Sequence, residues 1–218
     1  MLAIAACGPR LELALLSPAA NSPGLVALSG PTPRSELVMA GVDLLLRAAG
    51  LERAGLEGVV ATRGPGSFTG VRVALATAQG LALALGIPAH GYSSLLAQAA
   101  RTDVTECLAA QPARRGSVYV QPFARREMRL EAIEDPRVVP VASLLESRLP
   151  VVAPVGLVLP AGTPTAPAPI GPAEALLHLL AREEHPDPGT LTPLYLEPPP
   201  ALHPTRTAPP WPPSPKAS

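Results

Sequence analysis

VVATRGPGSFTGVRVALATAQGLALALGIP, residues 59–88, runs from strand through a glycine-rich turn into a helix. Val59-Val60-Ala61-Thr62 is a short β-branched run of strand character. In the segment Arg63-Gly64-Pro65-Gly66-Ser67-Phe68-Thr69-Gly70, the three glycines frame a turn where positive φ and close approach of other backbone are permitted. Ser67 or Thr69 can cap the helix that follows, and Gly86 with Pro88 ends it. Free amides and the positive end of a helix dipole meet at such a turn, which suits a phosphate or carboxylate. The spacing departs from the main phosphate motifs. A P-loop ends in Gly-Lys-Ser/Thr, whereas Gly70 precedes Val71-Arg72. The dinucleotide fingerprint would place its third glycine one residue before Gly70, and it needs an acidic ribose partner that this stretch lacks. On the residues alone, an anion site and a purely structural capped turn both stay open.

The helix itself carries Ala74, Ala76, Ala78, Gly80, Ala82 and Ala84, so small side chains occur on nearly every face. Another helix can therefore approach closely. A second helix is expected from Ser35 to Ala49, with Ser35 as cap, Glu36 at the positive dipole end and Gly50 closing it. Val38, Val42, Leu45 and Ala49 recur along one of its faces. These two helices either lie inside the monomer or share a face with another subunit.

Working outward, Leu2–Ala6 and Leu11–Leu16 read as strands joined by Cys7-Gly8-Pro9-Arg10, and Leu25–Leu28 follows an Asn-Ser-Pro-Gly turn. A strand after Pro88 and a helix over Ser94–Ala100 complete the first half. The second half suggests strands at Val104–Ala110, Ser117–Phe123 and Glu127–Ile133. A short helix at Ala142–Ser147, a strand at Val151–Val155 and a helix at Pro172–Glu184 follow. Each half thus has the order βββαβα, which predicts two related α/β lobes, residues 1–100 and 101–196. The remainder, 197–218, is a proline-rich tail: nine of its last twenty-one residues are proline, so it cannot build a core. Pro209–Pro215 suits an SH3-type groove, but a passive tail is the plainer expectation.

Composition narrows the function. Hydrophobic residues make up 47% of the 218 and aromatics only 3%, so Leu, Val and Ala must fill the core. Seventeen basic and seventeen acidic residues cancel. A protein gripping RNA by itself usually carries a basic excess, so any link to RNA is expected to run through a partner. Cys7 and Cys107 form no metal-ligand pattern and are expected to be reduced thiols, with no metal site. His90, His178, His185 and His203 stand near no patterned nucleophile or acid. MLAIAACGPR lacks the charged start of a signal peptide, and Val71–Leu85 is too short and Ala-rich to span a bilayer. A soluble cytoplasmic protein without membrane contact is the expectation.

Four pieces in order resemble the TsaB (YeaZ) family. They are the run from Arg63 to Ala74 continuing through Ala78-Gln79-Gly80-Leu81-Ala82 to Gly86-Ile87-Pro88; Tyr92-Ser93-Ser94-Leu95; Ala113-Arg114-Arg115-Gly116-Ser117-Val118-Tyr119; and Pro193-Leu194-Tyr195-Leu196. The signature loop comprises Arg63, Gly64, Pro65, Gly66, Ser67, Phe68, Thr69, Gly70 and Arg72. The resemblance implies an actin/Hsp70-like (ribonuclease H-like) α/β fold. It implies a non-catalytic scaffold and activator that pairs with the larger paralogue TsaD, which adds threonylcarbamoyl to the adenosine 3′ of the anticodon in ANN-decoding tRNAs. TsaE joins through the complex, and tRNA is met only there. ATP is used by the complex, and the subunit has no cofactor or catalytic residue of its own. The expected partner face falls on Leu37, Val38, Gly41 and Leu45 of the first helix and Val71, Ala74, Leu75 and Ala78 of the second. The same apolar surface suits a homodimer when the chain is alone.

The family pattern is broken in places. Active members of the fold bear an Asp and hydroxyls on the first hairpin, where this chain has Ala5-Ala6-Cys7-Gly8. Without a carboxylate to orient metal-bound water, phosphoryl chemistry there is disfavoured. The helix that often begins near a His begins near Arg34-Ser35, Pro112 stands where Asp is expected, and Glu197 stands where Arg is expected. A competing reading is a small actin-fold kinase or acyltransferase holding phosphate on the glycine-rich loop.

Overall fold

The computed structural model describes residues 1–17, 22–127, 129–181 and 190–197. The tail from 198 to 218, Asn21 of the first turn signal, His185 and residues 182–184 of the last expected helix lie outside the described residues.

Two five-stranded sheets organise the described residues. In the first, β1 (Leu2–Ala5) and β2 (Leu11–Leu15) form a hairpin with Leu2 opposite Leu15 and Ala5 opposite Glu12. Strand β3 (Gly24–Leu28) extends it antiparallel, and β4 (Val59–Thr62) and β5 (Ala89–Tyr92) extend it parallel, in the order β3-β2-β1-β4-β5. Helices α1 (Arg34–Ala48) and α2 (Phe68–Leu85) supply the crossovers, and α3 (Ser94–Ala99) follows β5. The second sheet contains β6 (Glu106–Pro112), β7 (Ser117–Arg126), β8 (Arg129–Ala132), β9 (Arg137–Pro140) and β10 (Val151–Val152), and α4 (Pro172–Ala181) comes last.

Alternation along β1 explains how the helices are shared out. Leu2, Ile4 and Ala6 point to one face and join Val38, Val42 and Leu45 of α1 and Ala74, Ala78 and Leu81 of α2 in a buried cluster. Ala3 and Ala5, with Ala14 and Val60, point to the other face and join Leu95 and Leu96 of α3 and Ala173, Leu176 and Leu177 of α4. Large side chains fill the α1/α2 layer, while alanines let α4 lie close to the sheet. The layer between the sheets is crossed over. Helix α3 packs on β6 and β7, whereas α4 packs on β1, β2 and β4, and the two helices touch each other. A boundary at residue 100 therefore separates the strands but not the helices.

Three differences from expectation have local causes. The third strand of the second half is broken: β8 pairs with the Phe123–Arg126 end of β7 and β9 with its Ser117–Val120 end. Asp135-Pro136 lies in the gap, and proline cannot donate to a ladder. Strand β10 stops at Val152 because the Ala153 carbonyl accepts from Arg101 instead (2.9 Å). Helix α2 starts at Phe68, so it reaches eighteen residues with mean hydropathy 1.4, long and apolar enough to cross a membrane. This corrects the expectation of a shorter segment. Its apolar face is nonetheless spent on the first sheet, with Gly70, Val71, Ala74, Leu75, Ala78 and Leu81 buried.

Candidate functional site

A cleft of about 380 Å³ opens between the lobes. Its walls are the β1–β2 turn (Cys7–Pro9), the glycine-rich loop (Pro65–Phe68), the β6–β7 turn (Pro112–Arg114) and a final strap, Leu194–Glu197.

The glycine-rich loop is wedged between other backbones. A side chain on Gly70 would begin 1.9 Å from the Ala6 carbonyl oxygen, and one on Gly64 (φ +106°) would begin 2.4 Å from that of Leu194. Ser67 N–H donates to the Cys7 carbonyl (2.9 Å), joining loop to hairpin. Of the two cap candidates it is Ser67 that serves, accepting from Gly70 N–H at 3.2 Å, while Thr69 is exposed.

Arg34, the first residue of α1, is the hub of this wall. One terminal nitrogen donates to the carbonyls of Gly8 and Pro9, both at 2.7 Å, and the other donates to Ser67 Oγ at 3.3 Å. The tip of the hairpin thus turns carbonyl oxygens, not amides, toward the Arg34 guanidinium. Beside it, Cys7 donates to Thr62 Oγ1 (3.1 Å), and burial pushes its thiol up to about 11. At neutral pH that sulfur is a protonated, buried filler rather than a nucleophile.

The strap closes the mouth. Leu194 N–H donates to the Arg63 carbonyl (2.7 Å), and Tyr195 stacks against Phe68 with ring centres 5.4 Å apart. The Arg72 guanidinium covers the Phe68 ring at 3.9 Å. Across the cleft, Tyr119 Oη donates to Glu197 (2.8 Å); burial first, then that carboxylate, push the phenol up to about 12. The strap therefore touches both lobes.

The structure gathers the expected loop residues at this wall, but it disperses the expected partner face. Val38, Gly41, Leu45, Val71, Ala74, Leu75 and Ala78 are all buried within the monomer, and Leu37 is half-buried. Their periodicity marks the face that each helix gives to its own sheet. What the helices show to solvent is a different pair of stripes: Met39, Ala40, Leu44 (58% exposed) and Ala48 on α1, and Ala76, Gly80, Leu83 (88% exposed) and Ala84 on α2. Sequence reasoning also missed Arg34 and Glu197 as structural actors. Arg34 was visible only as a helix start and Glu197 only as a departure from a pattern.

With this geometry in hand, a model of the family described as "TsaD: tRNA N6-adenosine threonylcarbamoyltransferase" matches residues 33–159, more than half of the chain. The chain belongs to this family, on its TsaB/YeaZ branch. The protein named tRNA threonylcarbamoyladenosine biosynthesis protein TsaB of Escherichia coli is 36% identical over 101 residues, which is 44% of this chain and 44% of that protein. The match thus spans under half of that relative's length. Two solved structures from Pseudomonas aeruginosa superpose over most of the fold. YeaZ gives a TM-score of 0.68 at 25% identity, covering 89% of this chain and 98% of that one. A protein described as similar to peptidase YeaZ gives 0.70 at 24%, covering 90% and 98%. The family's α/β fold, actin-like and ribonuclease H-like, is the fold of this chain.

Proposed function

We propose that this chain is a non-catalytic scaffold and activator subunit in the biosynthesis of threonylcarbamoyladenosine on tRNA, binding a TsaD-type partner. The observation that carries this reading is the first hairpin. It bears Ala5, Ala6 and Cys7 where phosphate chemistry needs a carboxylate, and its Gly8 and Pro9 carbonyls converge on Arg34. A turn presenting oxygens repels a phosphate, and a cation already satisfied by them has little left to offer one. The cleft wall is thereby a brace, and the work of the subunit falls to its surface.

The partner docks on the exposed stripes of α1 and α2. Small residues there let facing helices approach closely, while Met39, Leu44 and Leu83 supply apolar area at the contact. TsaE joins through that assembly, tRNA is held by the assembly rather than by this charge-neutral chain, and ATP serves the complex, not a cofactor site here. The chain acts in the cytoplasm, and alone it pairs with a second copy through the same stripes.

Reconstitution tests this. Chain, TsaD, TsaE, a threonylcarbamoyl-AMP synthase, ATP, threonine, bicarbonate and unmodified tRNA are combined, and modified adenosine is counted by mass spectrometry. Modification should require the chain, and Leu83→Arg should abolish it together with TsaD binding while leaving the fold intact. Full modification without the chain would overturn the reading. Heat on mixing the isolated chain with Mg-ATP would instead favour a phosphate-binding enzyme.

A further inference from the structure

Beside the cleft, sharing its Cys7–Pro9 wall, lies a second, much smaller space of about 10 Å³, at the seam of the lobes. Gly8, Glu12 and Thr62 reach it from the first sheet, Gln111 and Pro154 from the second, and Gln98 from α3. Gln98 is wholly buried and Gln111 is 2% exposed. Gln98 Oε1 accepts from Arg101, which can only donate (2.5 Å), so the orientation of that carboxamide is fixed. Among the described residues its Nε2 has no hydrogen-bond partner, and neither has Gln111 Oε1. Both residues line the same small space, one carrying an unpartnered buried donor and the other an unpartnered buried acceptor. Buried polar atoms left without partners are costly, so two such atoms on one lining call for a common partner.

The chemistry of the pair selects the occupant. A cation would meet the hydrogens of the Gln98 amide and the Arg10 side chain, and an anion would meet the Gln111 oxygen and the Glu12 carboxylate. A volume of about 10 Å³ holds the centre of one water-sized molecule and nothing larger. We propose that one water is bound here as a fixed part of the fold, accepting from Gln98 and donating to Gln111. Glu12 and Thr62, on the same lining, supply further partners from the opposite sheet, so the water pins the seam where both lobes meet the hairpin. This site is independent of any partner or tRNA.

A high-resolution crystal structure of the full chain tests it directly. The expected result is a single peak within hydrogen-bonding distance of both Gln98 Nε2 and Gln111 Oε1. An empty gap, or the two carboxamides bonded to each other, would overturn the proposal. Oxygen-17 relaxation dispersion supplies a second readout. Gln111→Leu should show one fewer long-lived water than the unchanged chain, and an equal count would count against the site. Should that variant fail to fold, the crystal structure decides alone.

Discussion

The β1–β2 turn and the β6–β7 turn are the first hairpins of their respective sheets, and they face one another across the same cleft. The first is clamped. Arg34 holds its carbonyls, Ser67 N–H holds Cys7, and Gly70 allows α2 to press against Ala6. The second is supported mainly by its neighbours in sequence. Ala113 N–H bonds to Ser117 and Ser117 N–H to Arg114, while Val141 N–H reaches Gly116; Arg114 and Arg115 stand in solvent. The same topological feature is a rigid wall where other elements supply donors and close packing, and a surface loop where they do not.

Four substitutions would break or sharpen that contrast. The largest effect belongs to Gly70→Ala, whose Cβ has no room before Ala6; a loss of at least about 4 kcal/mol is expected in urea unfolding. A loss under about 1 kcal/mol would mean that the hairpin is not braced on α2. Arg34→Met strips three hydrogen bonds from the same wall and should cost about 2 kcal/mol. Tyr119→Phe removes the bond that ties the second hairpin's strand to the strap, for about 1 kcal/mol. It should also change the alkaline limb. The phenol's ordinary value of 10.0 is raised to about 12 in the fold, so the folded chain holds the proton more tightly. That contribution is complete below 10 and is lost as pH rises through about 12, and the Phe variant should lack this part of the decline. The smallest effect is that of Arg115→Gly. Its φ of +54° suits glycine, and relief of strain offsets the added freedom of the unfolded chain, giving a change within about 0.5 kcal/mol in thermal unfolding.

Residues 59–88 were legible because each signal agreed: β-branched strand, glycines at a crowded turn, a serine cap, and Gly86 at φ +66° closing the helix. The α1 pattern Val38, Val42, Leu45 correctly marked an apolar face, yet periodicity cannot tell a face covered by the chain's own sheet from one awaiting another subunit. With alanine on all sides of α2, the outward stripe around Leu83 left little contrast to read. Arg34 was hidden for another reason. Two of its three partners are main-chain oxygens, and these carry no side-chain signature. The meeting of Gln98 and Gln111 depends on α3 packing back onto β6, which no local pattern encodes.

The exchange of α3 and α4 between the sheets has a consequence for the order in which the molecule can be made. As the chain leaves the ribosome, the five strands of the first sheet and both of its outer helices are complete by Tyr92. The opposite face, with Ala3, Ala5, Ala14 and Val60, lacks its main cover until α4 emerges at Pro172–Ala181. Every strand of the second sheet must be synthesised in between. A nascent first lobe therefore waits, half dressed, until α4 is made, and a chain cut short before α4 leaves that face without its main cover.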